Sequence, residues 1–273
     1  MNRKLLITLS VAVSAAFTAG CQSVETTQAG TVGVDRHQLM AVSSQEVDAG
    51  AKKAYAQMMA EAQKKNALDR DPAQVARIRG ITQRLIPQTA TFRPDAVKWD
   101  WEVHVITIDE VNAWCMPGGK MAMYTGLIQK LNATDDELAA VMGHEIAHAL
   151  REHSREQVSR QMATQMAIGV AGAFFGVGDM GQSLAGMVAN VTLNLPQSRT
   201  AEQEADRIGV ELAARAGYDP RAAIALWQKM EKLGGGQPPK FLSTHPPHED
   251  RIHDLEIYAA KVMPLYQQAS AKR

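Results

Sequence analysis

The chain has 273 residues, with 29 basic side chains against 29 acidic ones. That length suits one sizeable domain with a helical extension, and the balanced charge argues against a dedicated nucleic-acid surface. Beyond the first twenty residues no second long apolar span follows, which excludes a multi-pass membrane protein.

Residues 1–20 carry Arg3 and Lys4, then an apolar run from Leu5 to Phe17, then small residues up to Cys21. This is the layout of a secretory signal, and the apolar run is too short for a permanent span. Thr18-Ala19-Gly20-Cys21 resembles a bacterial lipobox, in which the cysteine is acylated and becomes the mature N-terminus, although Thr18 stands where leucine is usual. Gln22 rather than aspartate after Cys21 implies sorting to the outer membrane of a Gram-negative cell. The expected location is therefore periplasmic, with the membrane reached through lipidated Cys21. An ordinary signal peptide with a nearby cysteine is the alternative. If Cys21 is acylated, Cys115 lacks an internal partner; a Cys21–Cys115 disulfide is the competing arrangement.

Residues 21–42 are rich in Thr, Gln, Gly and Ser with little periodicity and read as a flexible tether, in which His37 needs no role. Ser43 with Glu46 forms a capping-box pattern for a helix to about Asn66, with Val47, Ala51, Tyr55, Met58, Met59 and Ala62 at helical spacing. Asp71-Pro72 opens a second helix that points Val75, Ile78 and Leu85 inward and stops at Pro87. Residues 43–95 thus form a helical scaffold. From Trp99 the period becomes two: Trp99, Trp101, Val103 and Val105 share one face, while Asp100, Glu102 and His104 share the other. A further strand is predicted from Val111 to Met116, a turn at Pro117-Gly118-Gly119, and a return strand from Lys120 to Tyr124.

Thr134 and Glu137 form another capping-box pattern, and the helix they open carries His144-Glu145-Ile146-Ala147-His148 nearly three turns in. Four residues turn a helix by about 400°, so His144 and His148 project from one face and both reach one ion. Glu145 lies about 100° around from His144, which suits a carboxylate that acts on a water rather than on the metal. Two imidazoles with an open position favour Zn2+ in a catalytic site. A chance match on an amphipathic helix is the bland alternative, so a third ligand is needed.

Met162 to Leu195 is apolar, rich in Met, Ala and Gly, and nearly free of charge. Its glycines make it two short helices in a hairpin, acting as core, as a mobile lid, or as a surface that meets membrane or unfolded protein. Downstream, Arg199 to Gly209 supplies the third ligand if it is helical. Glu202 and Asp206 then share a face beside Ala205 and Gly209, whose small side chains allow a close approach, whereas Glu204 lies about 200° from Glu202 and faces elsewhere. This selects Glu202 as ligand and Asp206 as acceptor of the second N–H of a ligating histidine. A solvated acidic face is the alternative. Gly217-Tyr218-Asp219-Pro220 is a stop and restart, with Asp219 as N-cap and a stripe of Ala223, Leu226, Trp227 and Met230 after it. The triple glycine Gly234–Gly236 then begins a loop leading to Phe241–Pro246.

His144-Glu145-Ile-Ala-His148 followed by Glu202-Gln-Glu-Ala-Asp206 resembles the gluzincin metallopeptidases of family 48, which include the heat-shock protease HtpX and the CAAX prenyl proteases. Asn112-Ala113-Trp114, Pro117-Gly118-Gly119 and Ser243-Thr244-His245-Pro246 resemble its soluble periplasmic lipoprotein branch, over roughly Trp99 to Tyr258. The resemblance implies an α+β, mainly helical fold for residues 96–273, with a small sheet flanking the active-site helix and one zinc on His144, His148 and Glu202. It implies that Asn112, Ala113 and Trp114 border the cleft as a strand to which substrate adds. It places His245 near the zinc, as a fourth ligand of a resting enzyme or an oxyanion donor, and leaves Arg251 to hold substrate carbonyls or the intermediate. His153, His248 and His253 have no such argument. The implied activity is hydrolysis of internal peptide bonds in unfolded or misassembled envelope polypeptides, with a possible link to outer-membrane assembly machinery. The alternative is a periplasmic chaperone or assembly factor with little or no proteolysis.

Overall fold

The structure, a computed structural model, describes residues 22–167, 177–233 and 238–271. The signal segment, Cys21, the middle of the apolar segment and the triple glycine lie outside the described residues.

The segment expected to be a tether is instead packed. β1 (Gln22–Val24) pairs antiparallel with β2 (Gln38–Met40), and Val32, Val34 and Met40 are buried. The backbone N–H groups of Thr31 and Val32 donate to the fully buried Glu211 carboxylate at 3.1 and 2.9 Å. Gly30 is in the left-handed region (φ +61°), and a Cβ there would lie 2.3 Å from the Phe92 ring, so the close approach requires glycine. Thr26, Thr27 and Gln38 of this stretch are partners for buried charges rather than solvated groups. Gln38, for example, is buried and donates to the Arg151 carbonyl and to Glu156 at 2.8 and 2.7 Å.

The scaffold follows the local rules. α1 (Ser44–Lys64) has both halves of its capping box, and α2 (Pro72–Leu85) starts on Asp71, whose carboxylate accepts from the N–H groups of Ala73 and Gln74. Pro87 falls in a 3₁₀ turn, Ile86–Thr91, that ends α2. β3 (Glu102–Ile106), β4 (Ala113–Met116) and β5 (Lys120–Tyr124) form a sheet of order β3-β5-β4. β4 and β5 are a hairpin around Gly118 and Gly119, both at positive φ, while β3 runs parallel to β5. A short helix, α3 (Thr125–Lys130), leads to α4 (Asp135–Leu150), which carries the full Thr134/Glu137 capping box.

α5 (His153–Ala167) starts before the apolar segment, and α6 (Val177–Leu193) runs through its second half. α6 lies against α1 and β4, with Val188 and Val191 buried among Val47, Ala51, Tyr55, Trp114 and Met116. The described part of the apolar segment is therefore a packing partner of the sheet. No helix among the described residues is long and apolar enough to cross a membrane.

α7 (Arg199–Arg215) is capped by Ser198 and lies along α4. At their crossing a Cβ on Gly143 would fall 2.8 Å from the Gly209 carbonyl oxygen, and one on Gly209 would fall 2.8 Å from the His144 nitrogen. Only glycine at both positions lets the backbones touch, and that contact sets how far Glu202 and Asp206 stand from the histidines. α8 (Ala222–Lys232) begins two residues later than expected: the Asp219 carboxylate does accept from the Arg221 N–H, but the first turn is closed by the tighter Ala222 N–H to Asp219 carbonyl bond. Its buried stripe is Ala223, Leu226, Trp227 and Met230. α9 (Lys240–Thr244) and α10 (Arg251–Ser270) complete an α+β, mainly helical architecture.

Candidate metal centre

α4, α7 and the end of α9 bring His144, His148, Glu202 and His245 together, all buried. His144 Nε2 stands 3.1 Å from His148 Nε2 and 3.2 Å from His245 Nδ1. Glu202 Oε1 stands 2.9 Å from His245 Nδ1 and 3.3 Å from His148 Nε2. Ligand atoms ~2.0–2.1 Å from a tetrahedral zinc are separated by roughly 3.3 Å, so four donors at these spacings form a cage of the right size. Three imidazole nitrogens and one carboxylate oxygen are also the donor set zinc prefers. The residues present fit Zn2+.

Each first ligand is oriented from behind. Asp206 Oδ1 lies 2.9 Å from His144 Nδ1, so it accepts that N–H and leaves Nε2 for the cluster. The Arg251 guanidinium donates to Glu202 Oε2 at 2.6 Å and to Asp206 Oδ2 at 2.8 Å, donates to the Pro246 carbonyl, and stacks 3.4 Å over the Trp227 ring. At 2% exposure with every edge engaged, Arg251 does not reach toward substrate. The expectation for it is corrected: two buried carboxylates need a cation, and Arg251 is the one packed against them. Burial alone would push the Glu202 carboxyl up, yet His245, His148 and His144 outweigh it and hold the group well below the usual carboxylate range. Burial, helped by the neighbouring His144, does the reverse to His148, keeping it neutral and able to ligate.

Glu145 lies beside the cluster and does not belong to it. Its Oε1 has no hydrogen-bond partner among the described residues and stands 3.3 Å from His245 Nε2. Burial pushes its carboxyl up to about 8, aided by Glu202 and opposed by His144 and the backbone N–H of Cys115. A cation at the cluster adds a further opposing charge. Cys115 is a buried free thiol whose pKa burial raises well above the usual value. It sits on β4, the sheet edge nearest α4, with Ala113 and Trp114, and Asn112 immediately precedes the strand; all are buried. Asn112 Oδ1 accepts from the Ala113 N–H at 3.0 Å, and Trp114 Nε1 donates to the Tyr124 hydroxyl.

One group near the metal escaped the sequence reading. His153 Nδ1 lies 2.8 Å from His148 Nδ1, and its Nε2 lies 3.0 Å from Glu204 Oε2. Five residues along a continuous helix the ring would be about 140° away from His148. The chain breaks at Arg151–Glu152 with Glu152 at φ +51°, and no glycine or proline there signals the break. Glu204 does face away from the cluster, as its helical position requires, but His153 connects it to His148. His253 is exposed beside Glu256 and takes no part.

Comparison with protein families matches residues 72–259 to peptidase family M48. The mitochondrial metalloendopeptidase OMA1 of Schizosaccharomyces pombe is 38% identical over 158 residues, 57% of this chain and 46% of that protein. The metalloprotease YcaL of Escherichia coli is 27% identical over 258 residues, 93% of this chain and 96% of that protein. The beta-barrel assembly-enhancing protease of Escherichia coli is 30% identical over 212 residues, 73% of this chain and 42% of that protein. The chain thus spans less than half the length of the Schizosaccharomyces pombe OMA1 and of the beta-barrel assembly-enhancing protease.

Proposed function

The chain belongs to peptidase family M48, and from that membership we propose that it is a zinc-dependent endopeptidase acting on internal bonds of unfolded or misassembled cell-envelope polypeptides. Glu145 carries the reading. A structural zinc site has no use for a buried carboxylate whose Oε1 makes no hydrogen bond among the described residues, at the rim of the ligand cage. His144, His148 and Glu202 would hold the zinc, which when bound would supply a Lewis acid for the scissile carbonyl and for a water. Glu145 takes the proton from that water and delivers it to the leaving amine. Asp206 and Arg251 keep His144 and Glu202 in register while this happens. An extended substrate adds antiparallel to β4 along Asn112, Ala113 and Trp114, after the Asn112 side chain releases the Ala113 N–H.

His245 holds this enzyme latent. With Nδ1 among the donors it completes a four-ligand set, and its Nε2 meets Glu145 Oε1 where the general base must meet water. The residue ends a five-residue helix, and withdrawal of its ring would free both the fourth position and Glu145. His245→Ala is expected to retain zinc and to cleave an unfolded polypeptide faster than the parent. A fall of roughly 100-fold with zinc retained would make His245 an oxyanion donor instead. If neither protein cut any internal bond while zinc-loaded, a non-proteolytic assembly factor would replace the endopeptidase.

The envelope location rests on Cys21, acylated at the lipobox-like Thr18–Cys21, with sorting to the outer membrane. A relative that bears the name beta-barrel assembly-enhancing protease supports substrates among outer-membrane proteins and contact with their assembly machinery. Cys21→Ser should move the protein from the membrane fraction to the soluble fraction with proteolysis unchanged. Retention in membranes without Cys21 would rule the lipid anchor out.

A further inference from the structure

The two helical zinc ligands are not supported alike. His144 gives its Nδ1–H directly to a carboxylate, Asp206, but His148 faces another imidazole, His153. Two ring nitrogens 2.8 Å apart need one donor and one acceptor. If His148 Nε2 is to hold a cation, His148 Nδ1 carries the proton, and His153 Nδ1 must accept it. His153 then carries its own proton on Nε2, and the atom facing that nitrogen at 3.0 Å is a Glu204 carboxylate oxygen, which accepts it. Every tautomer in the line is thereby determined from its far end.

Glu204 is held from its far side by two guanidinium groups. Arg36 donates to it at 2.6 Å and Arg151 at 3.0 Å, and Arg151 is fully buried. The same Arg36 is bidentate to Glu156, and Arg151 donates onward to Thr26, Thr27 and the Arg36 carbonyl. The line therefore ends on the packed N-terminal segment, residues 22–40.

We propose that His153 and Glu204 are positioning residues that set the tautomer and ring orientation of His148, and that the N-terminal segment, through Arg36, anchors them. The proposal rests on the zinc reading of His144, His148 and Glu202. It assigns work to two residues that neither touch the metal nor belong to either motif's ligand set. Outer partners of ligating histidines typically change metal affinity by about 10- to 100-fold when removed.

The test measures zinc affinity by chelator competition and the visible spectrum of the cobalt-substituted protein, in the full chain without its signal segment. His153→Ala and Glu204→Gln should each weaken zinc binding by about 10- to 100-fold and alter the cobalt spectrum. His153→Asn puts an amide oxygen near the position of Nδ1, and should restore most of the affinity that His153→Ala loses. Thermal unfolding with chelator present separates loss of fold from loss of metal. Should His153→Ala fail to fold, Glu204→Gln and His153→Asn decide: parent-like affinity with Glu204→Gln overturns the line. Zinc affinity within twofold of the parent in His153→Ala, or equal losses in the Ala and Asn variants, would reduce His153 to a packing residue and overturn the proposal. A parent that bound no zinc would remove the metal reading itself, and the proposal with it.

Discussion

Glu145→Gln is expected to keep a full complement of zinc and to lose peptide hydrolysis by about 10²- to 10⁴-fold, the usual contribution of a positioned general base. The side chain is not among the clustered donors, and its Oε1 is engaged by no hydrogen bond among the described residues, so removing its charge should leave the cage intact. Glutamine keeps the shape and the acceptor that the Cys115 N–H uses, but it cannot take a proton. Relief of a buried carboxyl should, if anything, steady the metal-free fold. Zinc content, thermal unfolding and cleavage of an unfolded polypeptide, measured on one preparation, check this. Loss of zinc would make Glu145 a ligand, and undiminished cleavage would move the base elsewhere.

The second large effect is expected at Glu202. Its Oε1 faces His245 and His148, while Oε2 is held by Arg251, so Glu202→Ala removes a ligand and leaves a buried guanidinium with Asp206 alone. Zinc affinity should fall by more than the roughly 100-fold reached by outer partners, and cleavage should vanish with the metal. Stability should also fall, because breaking a buried ion pair from one side costs up to about 3–5 kcal/mol, here moderated by the remaining Asp206. Glu204→Gln, two residues away, should cause the smaller loss proposed above. Chelator competition on both variants orders them. Equal losses would show that the two carboxylates do not divide the work as the geometry divides them.

Much of the site was legible because it obeys local periodicity. The spacing of His144 and His148, the rotation of Glu145 away from them, and the shared face of Glu202 and Asp206 all follow from 3.6 residues per turn. The Ser43/Glu46 and Thr134/Glu137 capping boxes appear in the structure as the side-chain pattern predicts, since each is a four-residue affair. The Asp219 carboxylate accepts from the Arg221 N–H as a cap would, and only the start of α8 is later, because its first turn is tighter than an α-turn.

The segment 22–42 was misread for a different reason. Thr, Gln and Ser are polar in any sequence, and they mark a tether only if water is their partner. Here Thr26, Thr27 and Gln38 meet Arg151 and Glu156, buried charges more than a hundred residues away. Arg251 was misplaced likewise: a cation near the end of the chain was expected to meet substrate, but two buried carboxylates hold it first.

By itself, then, the sequence placed His144 and His148 on one helix face, Glu145 to their side, and Glu202 and Asp206 on another shared face, because each is a matter of helical phase within one segment. The tertiary structure alone decided that His153 and Glu204 stand behind His148 and that Arg251 faces inward, while His245, expected near the metal only by resemblance, joins the donor cluster. Those placements depend on two glycines meeting at a helix crossing, on a helix break without a breaking residue, and on which charges lose their water when the segments pack.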